Sequence, residues 1–140
     1  MIGELPTQKY LNELSYKVVG CAIEVNKHYG PGLLESVYEK CLMYELGRTG
    51  LKAESQVVVP IQYKNTNLGG HLVIDILVED ELVVELKAVD AILPIHEAQL
   101  LTYLKLTSNY KGMIINFNST KVVDSTKHFV TESFAQLPKE

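Results

Sequence analysis

Asp75, Glu85 and Lys87 are the residues of this chain whose types and spacing could do chemistry. Asp75 lies between Leu72-Val73-Ile74 and Ile76-Leu77-Val78, so a carboxylate occupies the middle of a stretch that otherwise reads as a buried strand. Burying an ionised carboxylate is costly unless a cation or hydrogen bonds meet it. Val83-Val84-Glu85-Leu86-Lys87 repeats the anomaly, and alternation along a strand puts Glu85 and Lys87 on one face. If Glu79-Asp80-Glu81 is a hairpin loop and Val78 faces Leu82, antiparallel register brings Asp75 opposite Glu85. A register offset by one residue would put the two on opposite faces and remove the site.

Two carboxylates about 5 Å apart repel by roughly 3 kcal/mol at an effective dielectric of about 20. A divalent hard cation is the natural compensator: magnesium or manganese takes oxygen ligands and keeps several waters. The Lys87 ammonium beside such a cation could hold or activate water, or steady the charge developing on a phosphate under hydrolysis. The plainer reading is that a Glu and a Lys two apart on a strand line a solvated face; the apolar residues bracketing Asp75 favour the chemical one.

His96, Gln99 and Tyr103 fall at three- and four-residue steps and share one stripe of an expected helix. Each alone reads as an ordinary polar residue. Glu35 and Tyr38 follow Gly30-Pro31-Gly32 and read most simply as a first helical turn, where a carboxylate suits the dipole. His28, His71 and His128 have no metal-ligand spacing. Cys21 and Cys41, with no neighbouring Cys or His pair, fit two reduced core thiols better than a zinc site or a disulfide framework.

The elements that must position these groups follow from periodicity. Leu11, Leu14, Val18, Cys21, Ala22 and Val25 predict an amphipathic helix over 7–28, broken by Tyr29-Gly30-Pro31-Gly32. A second helix is expected over 33–48, burying Leu34, Val37, Cys41, Leu42 and Met43 and capped near Gly50. From residue 52 the β-branched and aromatic run of Val57, Val58, Val59, Ile61 and Tyr63 predicts a strand, with turn residues at Asn65-Thr66-Asn67 and Gly69-Gly70. Strands over 71–78 and 82–88 complete a meander. A helix over 93–106, with Ile95, Leu100 or Leu101, and Leu104 buried, leads to a strand over 111–117 centred on Met113, Ile114 and Ile115. After Asn118 the pattern weakens, leaving 121–123 or 128–130 as a short strand and 131–137 as a last helical turn. The order ααβββαβ is that of an α/β protein, a mixed central sheet flanked by helices.

The length of 140 residues suits one domain over 1–140, and 46% apolar with 21% charged residues excludes a disordered chain. No apolar run approaches the roughly 20 residues that cross a bilayer, and Glu4 stands where a secretion signal would be apolar, so a cytoplasmic protein is expected. A net charge of -4, with Arg48 the only arginine, argues against a dedicated nucleic-acid coat. Nucleic-acid contact would have to come from scattered lysines, backbone amides or a bound cation that reverses the sign of an acidic site.

Gly32-Leu33-Leu34-Glu35-Ser36-Val37-Tyr38 matches the motif for which the GxxExxY protein family is named, and that family resembles the PD-(D/E)XK nuclease superfamily. The resemblance runs from about Leu11 to Asn118 and takes in the Asp75 strand, Glu85-Leu86-Lys87 and the segment from His96 to Leu104. It implies a metal-dependent nuclease acting on DNA, less readily RNA, with Asp75 and Glu85 as ligands of magnesium or manganese and Lys87 as the catalytic lysine. Glu35 corresponds to the acidic residue supplied from an early helix, as a further ligand or catalytic group. Gln99 and Tyr103 match a helix found in the branch that includes the RecB-like exonucleases, where they help orient metal, water or phosphate, and His96 is a further candidate there. Ile74 stands where the superfamily signature often has proline. With so acidic a surface, DNA binding by one chain would be weak, and a homodimer or partner would have to add basic surface. The competing expectation is a catalytically silent nuclease fold serving binding or assembly, through a sheet edge or the first helix.

Overall fold

The computed structural model describes residues 4–140, so of the expected 1–140 span only residues 1–3 lie outside it. Two helices come first, α1 (Gln8–Tyr29) and α2 (Glu35–Arg48), followed by β1 (Ala53–Tyr63), β2 (Thr66–Val78) and β3 (Leu82–Lys87). Helix α3 (Pro94–Thr107) then leads to β4 (Lys111–Asn116) and β5 (Thr126–Val130). The five strands form one sheet in chain order; only β3 and β4 run parallel, joined through α3, while the other neighbours are antiparallel. This is the expected α/β architecture, with a fifth strand added from the tail. Among the described residues, no helix is long and apolar enough to cross a membrane.

Apolar side chains cover both faces of the sheet. On one face α1 and α2 pack against Ile76, Val78, Leu82, Val84, Leu86, Met113, Ile115 and Phe117. On the other, Leu100, Tyr103 and Leu104 of α3 pack against Val59, Ile74, Val83 and Ile114. Strand β4 is buried along its whole length: its apolar centre, Met113 to Ile115, is covered on both faces, and its polar ends Lys111 and Asn116 are buried with it. Gly112 makes the approach of α3 to β4 close: a Cβ there would lie 3.1 Å from both the Val83 carbonyl oxygen and Leu100 Cδ1.

Thr7 caps α1, its hydroxyl accepting the Tyr10 N–H at 3.0 Å. The chain leaves α1 through Gly30 at φ 64° and Gly32 at φ 118°, values an L side chain resists. Tyr38 secures this turn: its hydroxyl donates to the Gly30 carbonyl at 2.6 Å and accepts the Leu33 N–H at 3.2 Å, while its ring stacks on Phe117 at 4.6 Å. The buried stripe of α2 is therefore Tyr38, Leu42 and Leu46. Leu34 and Val37, expected inside, are exposed, and Cys41 and Met43 are half-buried. The helix is rotated from the orientation that apolarity suggested, because Tyr38 can be buried with its hydroxyl satisfied. On α3, Leu100 and Leu104 are buried as expected, whereas Ile95 and Leu101 face outward. Cys21 is buried and Cys41 half-buried, both as free thiols.

The β1–β2 turn is tighter than expected. Lys64 and Asn65 take positive φ at the hairpin tip, and Gly69 and Gly70 lie within β2. In the tail, the strand falls at Thr126–Val130, preceded by a short 3-10 helix at Val122–Ser125 rather than by a strand over 121–123. A second 3-10 helix, Glu132–Gln136, occupies the expected final turn. The chain end then returns to α1, where the Gln8 and Lys9 N–H groups donate to the carbonyls of Pro138 and Lys139 at 2.8 and 3.0 Å.

Replacing Tyr38 by Phe keeps the stack but strands a carbonyl and an amide at the α1–α2 turn. The expected cost is about 1–3 kcal/mol in urea denaturation, and an unchanged midpoint would show that stacking alone holds the turn.

Candidate active site

Strands β2 and β3 pair from Val78↔Leu82 through Ile76↔Val84. Continued one step, that register sets Asp75 against Glu85, as the hairpin reading expected. At that step side chains replace the ladder. The Asp75 N–H donates to Glu85 Oε2 at 2.8 Å, and the Leu86 N–H donates to Asp75 Oδ2 at 2.8 Å. Each carboxylate thus spends one oxygen on backbone and keeps a second that neither bond uses.

Asp75 also marks a change of face. In a regular strand residues two apart share a face, yet Ile76 and Val78 pack toward α1 and α2 whereas Ile74 and Leu72 pack toward α3. The alternation reverses at Asp75, which leaves its side chain in neither apolar layer and half-buried. Glu85 lies on the α3 side of β3, level with Val83, and is 6% exposed. Lys87 follows on the same side and is half-buried.

The electrostatics are those of crowded acids. Burial, chiefly, and then the Asp75 charge push the Glu85 carboxyl up to about 8, against the pull of the Asp75 N–H and of Lys87. Burial also raises Asp75; the Leu86 N–H and Lys87 oppose that rise, while Glu35 adds to it. Lys87 lowers both carboxyls through its charge, yet forms no salt bridge with either among the described residues.

The other expected residues arrive from two helices. Glu35, at the start of α2, is exposed, and its Oε2 accepts the Ala88 N–H at 3.3 Å just beyond Lys87. Tyr103 is buried on α3, its hydroxyl raised by burial and then by the charges of Glu85 and Asp75, with a hydrogen bond to Gln99 acting the other way. Tyr103 therefore sits near the two carboxylates, whereas Gln99, one turn before it, is exposed. His96 does not join them in this way: its Nδ1 accepts the Leu93 N–H at 3.0 Å and so caps α3.

Three residues that the sequence reading did not single out belong to the same region. Glu39, one turn after Glu35, and Gln56 of β1 line a cavity of about 440 Å³ together with Glu35, Ser36, Asp75 and Leu86. Asn116, at the end of β4, accepts the Val89 N–H at 3.1 Å and donates to the Val89 carbonyl at 2.9 Å, fixing the loop that leaves Lys87. An Asn ending a buried strand was the available signal for Asn116. Glu39 is four residues from Glu35 and was legible in helical spacing.

Asp75 and Glu85 offer hard oxygen donors in a buried setting that raises the cost of their charge, a donor chemistry that fits a hard divalent cation. Among the described residues, no three His, Cys, Asp or Glu side chains gather closely enough to hold an ion by themselves. The donor set is thus two carboxylates, with Glu35 turned to the Ala88 amide, and the remaining positions would fall to carbonyls, water or substrate, as magnesium commonly accepts.

One protein-family model, that of the PD-(D/E)XK nuclease superfamily, matches residues 12–129. No curated protein and no solved structure matches the chain significantly. The matched span contains both carboxylate strands, Lys87 and α3, and its mixed sheet between helices agrees with that fold. With an aspartate on β2, Glu-Leu-Lys on β3 and a family match over most of its length, the chain belongs to the PD-(D/E)XK nuclease superfamily.

Proposed function

We propose that the protein is a metal-dependent nuclease that hydrolyses phosphodiester bonds of DNA, and less readily of RNA, with magnesium or manganese. The observation that carries this reading is the paired use of Asp75 and Glu85 at the end of the β2–β3 ladder, with Lys87 on the same side of β3. Within the superfamily, the segment Gly32 to Tyr38 supports a place among GxxExxY proteins.

Asp75 and Glu85 would hold the cation through their unspent oxygens, and the cation would supply Lewis acidity and lower the pKa of water for phosphodiester hydrolysis. Lys87 offsets the charge that accumulates on the phosphate oxygens. Tyr103, near the carboxylates, and Gln99, one turn before it on α3, orient phosphate or water, and Glu35 holds the Ala88 amide and adds negative charge that favours cation capture. Nucleic acid is held weakly by one chain of net charge -4, and a second copy is the proposed source of further contact surface.

Asp75→Ala and Lys87→Ala are each expected to lower manganese-dependent cleavage of a DNA duplex at least about 100-fold. Equal trace cleavage by wild type and both variants would assign the activity to a contaminant, and binding without cleavage by wild type would favour the silent module. Manganese at one hundred times its dissociation constant should stabilise the fold by about 2.7 kcal/mol, visible as a raised Tm that Asp75→Ala abolishes.

The metal-free protein should also report Glu85 through pH. A carboxyl raised from 4.5 to about 8 makes the folded state bind the proton more tightly than the unfolded state. Its stabilising contribution is complete below about 4.5 and is lost as pH rises to about 8. Tm should therefore fall across that window, and Glu85→Gln should flatten the fall and stabilise the metal-free protein at pH 8. A variant with the wild-type slope would remove Glu85 as its source.

A further inference from the structure

Gln56 occupies a position that an ordinary edge-strand residue would not. On either side of it β1 and β2 pair as Ser55↔Ile76 and Val57↔Ile74, so register sets Gln56 against Asp75, and that one step is missing from the ladder. Gln56 has φ 53°, a left-handed backbone that glycine adopts freely and glutamine does not. Both strands change face here: Ala53 packs toward α1 and α2, whereas Val57 and Val59 pack toward α3. The Gln56 carboxamide donates to Glu39 Oε1 at 2.7 Å, and both residues line the cavity that holds Asp75. Strain kept in a non-glycine residue beside reactive groups is a reason to look for function.

We propose that Gln56 is a positioning residue of the site, holding the Glu39 carboxylate beside Asp75 as an acceptor for water carried by the cation. This rests on the nuclease reading above. Glu39 is half-buried and one helical turn beyond Glu35, and its Oε2 is not engaged by Gln56. A carboxamide suits this role because it fixes an acidic neighbour through an N–H without adding a further negative charge to a cavity that already contains Glu35, Glu39 and Asp75. Residues that orient the surroundings of a metal commonly change affinity or activity by about 10–100-fold when removed.

The decisive variant is Gln56→Gly, which removes the carboxamide while relieving the backbone. Its metal-free Tm should equal or exceed that of wild type, so misfolding cannot account for other losses. Calorimetric titration with manganese alone should show affinity about tenfold weaker. On a labelled DNA duplex in saturating manganese, kcat should fall about tenfold or more while KM stays within about twofold. Gln56→Asn, which tolerates positive φ but is one methylene shorter, should not restore either value. Glu39→Ala should show the same two losses, and the double variant no more than either single one.

Wild-type manganese affinity and kcat in Gln56→Gly would overturn the positioning role while leaving the nuclease reading intact, and so would losses that add in the double variant. A wild-type protein that neither binds manganese nor cleaves would overturn the nuclease reading, and the role of Gln56 with it.

Discussion

The structure turns on one exchange: where β2 and β3 would continue their ladder, two carboxylates take over the backbone amides. Asp75 accepts from Leu86, and Glu85 accepts from the Asp75 N–H. The exchange commits one oxygen of each acid to backbone. Here it also holds two acids together in a buried setting that raises the pKa of both. Rigidity and electrostatic stress are thus produced by the same atoms. One oxygen of each acid is held in place by these bonds, and a second oxygen of each is left outside them.

The reversal of face at Asp75 and Gln56 explains how such a group can exist inside a two-sided core. A strand with uninterrupted alternation would have sent Asp75 into one apolar layer or the other. Because the β1–β2 pair packs on α1 and α2 at its base and on α3 beyond Val57, one step belongs to neither layer. Asp75 lines a cavity there, while Glu85 behind it stays buried. The helices bring further polar groups toward this step, Glu35 and Glu39 from α2 and Tyr103 from α3.

The fold and the central pair were legible because each rests on a strong local signal. A three-residue acidic loop between two β-branched runs leaves little freedom in register, so the opposition of Asp75 and Glu85 followed from chain geometry. The burial of α2 was misread because apolarity was weighed by residue type, and Tyr38 carries its polar atom on a ring that can reach back to Gly30. Asn65, Asn67, Gly69 and Gly70 looked like one long turn, but a tip at Lys64 and Asn65 suffices, and the glycines are absorbed in the strand. His96 shares a stripe with Gln99 and Tyr103, yet a histidine in a first helical turn has backbone amides nearer than any distant acid. Gln56 was invisible for a deeper reason: nothing in a glutamine announces a left-handed backbone, which tertiary packing imposes.

Residues 138–139 return to the start of α1. Backbone amides of Gln8 and Lys9, which a helix start leaves without internal acceptors, are satisfied by carbonyls contributed from Pro138 and Lys139. The first turn of α1 and residues 138–139 are therefore neighbours, and removing Pro138 and Lys139 would leave the Gln8 and Lys9 amides without these acceptors.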